Sequence, residues 1–375
     1  MSIRKLLNRI AFVAVLASAG MVRPGFAQVA AEIGGMDETG PYNVVPNWFK
    51  PGIRWHQVVA AVAADKPDRI LISTSNADVR GANPLIIGAD GVPEAPRRGR
   101  GGSEEPAAPM QPSPHAHLIL ALNADGKVIE DWSQWDSAIN VPHNIYVNPY
   151  DKQRSVWVVD REGQQILKFS NDGKKLLLKL GEKDVPGTDQ AHFNSPAGMT
   201  FLPDGSILIA DGYRNTRIIK FDANGKFQME WGTKGSGPGQ FNLVHAVAID
   251  NQKRVYVADR SNNRIQVFDE AGKYLREMDN IRSPAFLMIS ADNKSFWVAS
   301  NSLDRIAKYD MEGHFQTSWG TPGTFDGAFT DLHYFTVDKT GNLYIADTFN
   351  NRVQKFIPKP GADKARLVDQ PFISP

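Results

Sequence analysis

Short apolar segments alternate with turn-forming clusters of Gly, Pro, Asn and Asp through most of the chain. In each clear copy a first apolar strand is followed by a turn, as at Pro203-Asp204-Gly205 and Lys339-Thr340-Gly341, and by a second strand that ends in Ala-Asp. A loop with Asn and Arg, a third strand and a fourth strand follow, the last ending in Trp-Gly at Trp231 and Trp319. This pattern predicts four short antiparallel strands per repeat.

The length of the repeat indicates the architecture. Four strands in roughly 40–50 residues, with no helical periodicity between them, are typical of β-propeller blades. A solenoid would need capping repeats and a β-helix or helical period, which the pattern lacks. We count six repeats, the first being the weakest copy, and predict an all-β, six-bladed β-propeller over residues 56–360 with a C-terminal tail over 361–375.

One position of the repeat alternates between alanine and histidine. It lies at the start of the first strand and reads Ala60, His143, Ala197, His245, Ala285 and His333. In a closed ring the three imidazoles would point inward about 120° apart, and three protein ligands with an open fourth position describe a catalytic zinc site. The alternative interpretation is that these histidines only form hydrogen bonds within turns. However, the chain has just eight histidines, and three of them fall on equivalent positions.

Polar loops follow the second strand of several repeats and read VDREGQQ, ADGYRNTR, ADRSNNR and ADTFNNR. The aspartates and the closing arginines Arg264 and Arg352 recur, so they are predicted to be structural. Tyr213 and Arg260 do not belong to the repeat template, and the loop of Tyr213 is one residue longer than its equivalents. These two residues are therefore the candidates for chemistry.

The N-terminal segment has the pattern of a signal peptide. A basic start precedes an apolar stretch that is short for a membrane-spanning helix, and a small-residue site ends at Ala27. We predict a signal peptide over residues 1–27, no stable membrane insertion, and a periplasmic or secreted bacterial protein.

Residues 28–55 are predicted to be an extended lead-in. Residues 88–114, rich in Pro, Gly and charge, are predicted to be a disordered loop within the first blade.

Composition narrows the classes of partner. The 42 Lys and Arg residues balance 41 Asp and Glu residues, so the chain has no excess of positive charge that would favour nucleic acid as a partner. Cysteine is absent, which excludes the disulfide-rich secreted class. We expect a monomer that takes a small-molecule or peptide substrate.

The repeats resemble NHL repeats, and five segments resemble the lyase of peptidylglycine α-amidation: PHNI, ADGYRNTRI, VHAVAI, VADRSNNRIQVF and LHYFTVDKTGNLYIADTFNNRVQKF. The resemblance covers about residues 140 to 357 and implies a six-bladed propeller with a catalytic zinc. It implies cleavage of peptidyl-α-hydroxyglycine to a peptide amide and glyoxylate. By position it assigns the zinc to His143, His245 and His333, the role of catalytic tyrosine to Tyr213, and an active-site arginine to Arg260.

The sequence departs from this family at two functional positions. The family's first-blade arginine falls in ILISTSNADVR, where Ser75 or Asn76 stands and Arg80 lies nearby. The family's His-Asp pair at the last ligand is His333-Tyr334, so the Ca²⁺ site that the resemblance also implies loses a carboxylate. Zn²⁺ is the expected cofactor. The predicted function is a zinc-dependent lyase that cleaves the C–N bond of an α-hydroxyglycine-type (hemiaminal) substrate, with a substrate that has diverged.

Two alternatives stay open at this point. A non-catalytic periplasmic NHL propeller would bind a protein or glycan at its mouth or rim and hold no metal. A propeller hydrolase such as a lactonase would hold calcium with carboxylates and Asn, but no acidic set aligns at the channel position.

Overall fold

The computed structural model describes residues 38–75, 85–94, 116–371 and 373 of the 375. These residues form six four-stranded antiparallel sheets, so the predicted six-bladed, all-β propeller is confirmed. The predicted signal peptide and residues 28–37 of the predicted lead-in lie outside the described residues. Within the described part, no helix has the length and apolar character needed to cross a membrane.

The first strand of the chain, β1 (Tyr42–Val44), belongs to the last blade. Blades 1 to 3 follow in chain order. Blade 1 contains β2 (Val58–Lys66), β3 (Arg69–Ser75), β4 (Ile119–Leu122) and β5 (Val128–Asp131); blade 2 contains β6 (Pro142–Val147), β7 (Val156–Asp160), β8 (Gln165–Phe169) and β9 (Leu176–Leu180); blade 3 contains β10 (Gly198–Phe201), β11 (Ile207–Asp211), β12 (Arg217–Phe221) and β13 (Phe227–Trp231).

A two-stranded parallel ribbon precedes blade 4, and short 3-10 turns connect some strands. The ribbon is β14 (Thr233–Lys234) with β15 (Gln240–Phe241); blade 4 contains β16 (Val244–Ile249), β17 (Val255–Asp259), β18 (Arg264–Phe268) and β19 (Tyr274–Asp279); blade 5 contains β20 (Pro284–Ile289), β21 (Ser295–Ser300), β22 (Arg305–Asp310) and β23 (Phe315–Trp319); blade 6 contains β24 (Leu332–Val337), β25 (Leu343–Asp347), β26 (Arg352–Pro358) and β1. The 3-10 turns span Ser133–Trp135, Arg260–Asn262, Thr348–Asn350 and Lys364–Arg366.

The burial pattern of a strand depends on its place in the blade. The second strands β11 and β17 are buried along their whole length because neighbouring blades pack on both faces, which explains their continuous apolar sequences. The outer strand β13 instead alternates between half-buried and exposed residues, as expected for a sheet edge with one face toward solvent. The predicted turns at Gly205 and Gly341 both have φ of +86°, a conformation that favours glycine.

Strand β1 closes the ring by pairing antiparallel with β26. The propeller therefore begins at Tyr42 rather than at residue 56, and the prediction that 28–55 is only a lead-in is wrong for this strand. Tyr42 is fully buried, its ring lies 5.5 Å from that of Trp319, and its hydroxyl accepts a hydrogen bond from Val368 N–H at 2.7 Å. The segment after residue 360 thus packs back on the closing strand.

The predicted loop over 88–114 is described only in its first part. Residues 85–94 form a short turn in which Glu94 N–H donates to the carbonyl of Ile86 at 2.8 Å and the Glu94 carboxylate pairs with Arg54 at 2.9 Å. Residues 95–114 lie outside the described residues.

The innermost strands line a central channel, and most of them carry a β-bulge at the position that alternates between histidine and alanine. In blades 1, 2, 4, 5 and 6 the ladder skips one residue, and that residue is Ala60, His143, His245, Ala285 or His333. A bulged residue leaves the hydrogen-bonded ladder, and the bulge changes the direction of its side chain. The bulges therefore explain how residues at the start of these strands point toward the axis.

If β1 holds the ring closed, Tyr42→Ala should lower the free energy of unfolding by about 3–5 kcal/mol, since a fully buried aromatic ring is removed. Tyr42→Phe should cost about 1 kcal/mol because it removes only the acceptor for Val368 N–H. Urea unfolding followed by tryptophan fluorescence measures both. Wild-type stability in Tyr42→Ala would show that the ring does not depend on this strand.

Candidate metal centre

The structure brings His143, His245 and His333 together on the axis, as the alternation predicts. Their nitrogen atoms available for metal binding all lie within 4.8 Å of one another, and the Nε2 atoms of His245 and His333 are 3.3 Å apart. All three side chains are buried. Tetrahedral zinc with Zn–N bonds of 2.0–2.1 Å would separate its nitrogen ligands by about 3.3 Å.

The alternate alanines are part of the site through their backbone. His143 Nδ1 lies 2.8 Å from the carbonyl of Ala197, His245 Nδ1 lies 2.5 Å from that of Ala285, and His333 Nδ1 lies 2.8 Å from that of Ala60. A carbonyl only accepts, so each Nδ1 donates its hydrogen to the next blade. In a neutral imidazole this fixes the tautomer and leaves the Nε2 lone pair facing the axis.

The electrostatic surroundings keep these imidazoles neutral. Burial holds the pKa of His143 well below its usual range, reinforced by the unfavourable interaction that two protonated rings, His143 and His333, would have and by the charge of Arg161. Burial and the charge of Arg260 do the same for the pKa of His245. Burial also lowers the pKa of His333, partly opposed by the carboxylate of Asp331. Neutral imidazole is the form that binds a metal.

The donor set fits a metal cation because it contains more lone pairs than hydrogens. Three Nε2 atoms converge with lone pairs, and the Tyr213 hydroxyl, 3.0 Å from Nε2 of both His143 and His245, donates only one hydrogen. At least two buried acceptors therefore face the same point without a donor from these groups. A cation at that point satisfies all of them. Three nitrogen ligands and an open fourth coordination position suit Zn²⁺.

Tyr213 reaches the axis because its loop is longer and contains a glycine. Its backbone N–H donates to the carbonyl of Ser195 at 3.1 Å, the bond that Arg260 N–H makes to Leu243 in blade 4. The extra residue is Gly212, where an added Cβ would lie 1.7 Å from the carbonyl oxygen of Val244. Only glycine permits this approach, which places the phenol beside His143 and His245.

Two arginines flank Tyr213. The sequence predicted a functional role for only one of them, Arg260. Arg260 donates to the Tyr213 hydroxyl at 3.3 Å, and its guanidinium carbon lies 5.8 Å from the ring centroid. The guanidinium carbon of Arg161 lies closer, at 5.0 Å. Arg161 stands one residue after the template aspartate, as Arg260 does, and this shared register was the signal that could have found it.

The floor of the site is aromatic. Tyr334 is buried, and its ring lies 4.8 Å from those of both His333 and Phe286. Below it the channel widens into a cavity of about 250 Å³. Ca²⁺ binds six to eight oxygen ligands, so an aromatic ring in place of a carboxylate does not fit a calcium site. Of the residues near the family's first-blade arginine, Ser75 is buried at the end of β3, whereas Asn76 and Arg80 lie outside the described residues.

The recurring aspartates and arginines are structural, as predicted. Asp211 pairs with Arg217, Asp259 with Arg264 and Asp347 with Arg352, with buried contacts of 2.8–2.9 Å. Four other histidines lie in the described part of the chain, and three of them pair with nearby carboxylates: His117 with Asp131 at 2.6 Å, and His192 with Asp189 and His314 with Asp310, each at 2.9 Å.

The lowered pKa values predict how the metal-free protein responds to acid. Below the ordinary histidine pKa of 6.5 the unfolded chain binds protons that the folded site does not bind. The free energy of unfolding should therefore fall as pH falls below about 6.5, by up to about 1.4 kcal/mol per pH unit for each histidine. Urea unfolding between pH 7.5 and 5 after chelation measures this slope.

A matched pair of variants isolates the contribution of the site. His245→Gln should reduce the slope, whereas His314→Gln, at a side chain 79% exposed, should leave it unchanged. Equal slopes in wild type and His245→Gln would contradict the assignment of neutral buried imidazoles.

Comparisons with known proteins extend this picture. A family described as a 6-bladed beta-propeller matches residues 188–311. The chain is 32% identical over 259 residues to NHL repeat-containing protein 3 of Homo sapiens, a match that covers 64% of this chain and 72% of that protein. It is 34% identical over 268 residues to peptidyl-alpha-hydroxyglycine alpha-amidating lyase 1 of Drosophila melanogaster, covering 64% of this chain and 48% of the lyase. The chain thus spans about half the length of that lyase.

Among solved structures, a gluconolactonase from Xanthomonas campestris has a TM-score of 0.51, with 89% of this chain and 93% of that chain covered. The two sequences are 14% identical, so this likeness shows the shared fold alone.

Proposed function

The chain belongs to the NHL-repeat family of six-bladed β-propellers, and from that premise we propose that it is a metal-dependent lyase. Its substrate would be an α-hydroxyglycine-type hemiaminal, cleaved at the C–N bond to an amide and glyoxylate. The observation that carries the proposal is the convergence of three Nε2 lone pairs with the Tyr213 hydroxyl, 3.0 Å from two of them. Relatives named as peptidyl-α-hydroxyglycine lyases support the same reaction class.

The proposed residues divide the work between holding a metal and moving a proton. His143, His245 and His333 would hold the ion, Zn²⁺ being the best fit. When bound, the ion acts as a Lewis acid that lowers the pKa of a hydroxyl group in the site. Tyr213 has its oxygen at the mouth of the cluster, where it can accept the proton of the substrate hydroxyl.

The reaction is balanced without water or a redox partner. As the hydroxyl O–H bond breaks, the carbon–oxygen bond becomes the aldehyde of glyoxylate and the C–N bond breaks toward nitrogen. Tyr213 then returns the proton to the departing amide nitrogen. Arg260, which donates to the Tyr213 oxygen at 3.3 Å, would stabilise the phenolate form of Tyr213, which accepts the first proton and is restored when that proton passes to nitrogen.

The location of the protein is a separate proposal. The basic, apolar and small-residue pattern of residues 1–27 supports export to the periplasm or medium, where a small hemiaminal or a peptide would be the substrate.

The first test is metal content. Purified protein should carry about one zinc per chain, and His143→Ala, His245→Ala and His333→Ala should each lose it because three ligands are needed to complete the site. Elemental analysis of matched samples measures the ratio, with His314→Ala as the control for an exposed histidine. Full metal occupancy in all three site variants would end the proposal, and metal-free wild type that fails to bind added zinc would favour a binding scaffold.

The second test separates chemistry from metal binding. Tyr213→Phe should keep its zinc but release glyoxylate from α-hydroxyhippurate roughly 10²–10⁴-fold more slowly, since it loses the proton-transferring oxygen. The control is Tyr274→Phe in the outer strand of blade 4. Unchanged turnover in Tyr213→Phe would remove Tyr213 from the mechanism.

A further inference from the structure

We propose that Arg161 binds the carboxylate of the substrate, so that blade 2 supplies the second cation that the family resemblance places in blade 1. This inference rests on the proposed function, which gives the substrate a carboxylate. It adds a specificity residue and commits the substrate to the class of anionic α-hydroxyglycine derivatives.

The backbone delivers Arg161 to the same place in its blade as Arg260. Each arginine directly follows the buried aspartate that ends the second strand, Asp160 or Asp259. Each backbone N–H donates to a carbonyl just before the inner strand, Arg161 to Val141 at 2.9 Å and Arg260 to Leu243 at 2.8 Å. The two side chains are therefore positioned by equivalent anchors, two blades apart.

Among the described residues, the loop position that directly follows the second strand is positively charged only in blades 2 and 4. Blades 2, 3 and 4 contribute Arg161, Tyr213 and Arg260, whereas blades 5 and 6 have the neutral residues Asn301 and Thr348 at the same register. Both guanidinium groups approach the Tyr213 ring, at 5.0 and 5.8 Å from its centroid. An anionic group of a bound substrate would thus be attracted to the side of the site where Tyr213 lies.

The hydrogen-bond donors of the two arginines differ in what they already bind. Arg260 uses one terminal nitrogen on the Tyr213 hydroxyl. Arg161 uses Nε on the Glu162 carboxylate at 3.0 Å, and among the described residues no hydrogen bond occupies its two terminal nitrogens. Its side chain is 25% exposed, so a ligand in the mouth can reach it. A guanidinium with two terminal donors suits a carboxylate, which it binds in a fork.

Arg214 provides a matched control, because it contacts the same carboxylate as Arg161, that of Glu162. Arg214 lies 3.5 Å from the other oxygen of Glu162, and its side chain is 58% exposed. The structure records a contact with the Tyr213 ring for Arg161 and Arg260 but none for Arg214 within the described part of the chain. Removal of Arg214 therefore changes the same local charge without removing the proposed carboxylate ligand.

The test compares Arg161→Ala, Arg161→Lys and Arg214→Ala in the zinc-loaded protein, with zinc content measured for each. Calorimetric titration uses hippurate, which has the carboxylate but no hydroxyl, and its neutral amide. Wild type should prefer hippurate by about 10–100-fold, the range expected for a hydrogen-bonded charge pair. Arg161→Ala should lose that preference, Arg161→Lys should keep part of it, and Arg214→Ala should keep it in full.

Kinetics provide a second readout. In Arg161→Ala the KM for α-hydroxyhippurate should rise about 10–100-fold while kcat changes only a few-fold, since binding rather than proton transfer is lost. Equal binding of hippurate and its amide by wild type, or wild-type preference in Arg161→Ala, would overturn the inference. Wild type that binds hippurate through Arg161 but does not release glyoxylate would overturn the proposed function and leave the carboxylate site standing.

Discussion

The site depends on one repeated interaction, the hydrogen bond from the Nδ1–H of each histidine to the alanine carbonyl of the next blade. It orients the imidazole, fixes its tautomer and directs a lone pair at the axis. It also links the site to the fold, because the bond from His333 in blade 6 to Ala60 in blade 1 crosses the point where the ring closes. The geometry of the centre therefore depends on a closed propeller, whose last blade is completed by the short strand of Tyr42.

The repeats, the six blades and the three convergent histidines could be predicted because they appear as periodic features of the sequence. The ring closure could not, since Tyr42–Val44 is a three-residue strand without a repeat of its own. Nor could the bulges that turn each inner-strand histidine out of the ladder, because a bulge is a property of pairing and has no residue signature here. The acceptor role of the alternate alanines could not be predicted either, because it belongs to their backbone carbonyls and not to the side chain.

Candidate catalytic residues could be predicted only where a residue departed from the repeat template. Tyr213 stood out because its loop is one residue longer, and the reason for Gly212 in that loop emerged only from its contact with the Val244 carbonyl. Arg161 was hidden because its neighbours read as an ordinary turn, although its register is that of Arg260. The site thus combines a rigid ring of histidines on bulged inner strands with three side chains delivered by loops of blades 2 to 4. Such a division would let the loops vary while the ring of histidines stays fixed.

The central claim is that the three Nε2 lone pairs enclose a metal ion. A crystal structure of the zinc-loaded protein, with anomalous differences measured above and below the zinc absorption edge, tests it most directly. The account predicts one strong peak on the axis, about 2.0–2.1 Å from Nε2 of His143, His245 and His333. The absence of anomalous density at that point, with zinc bound elsewhere or not at all, would contradict it.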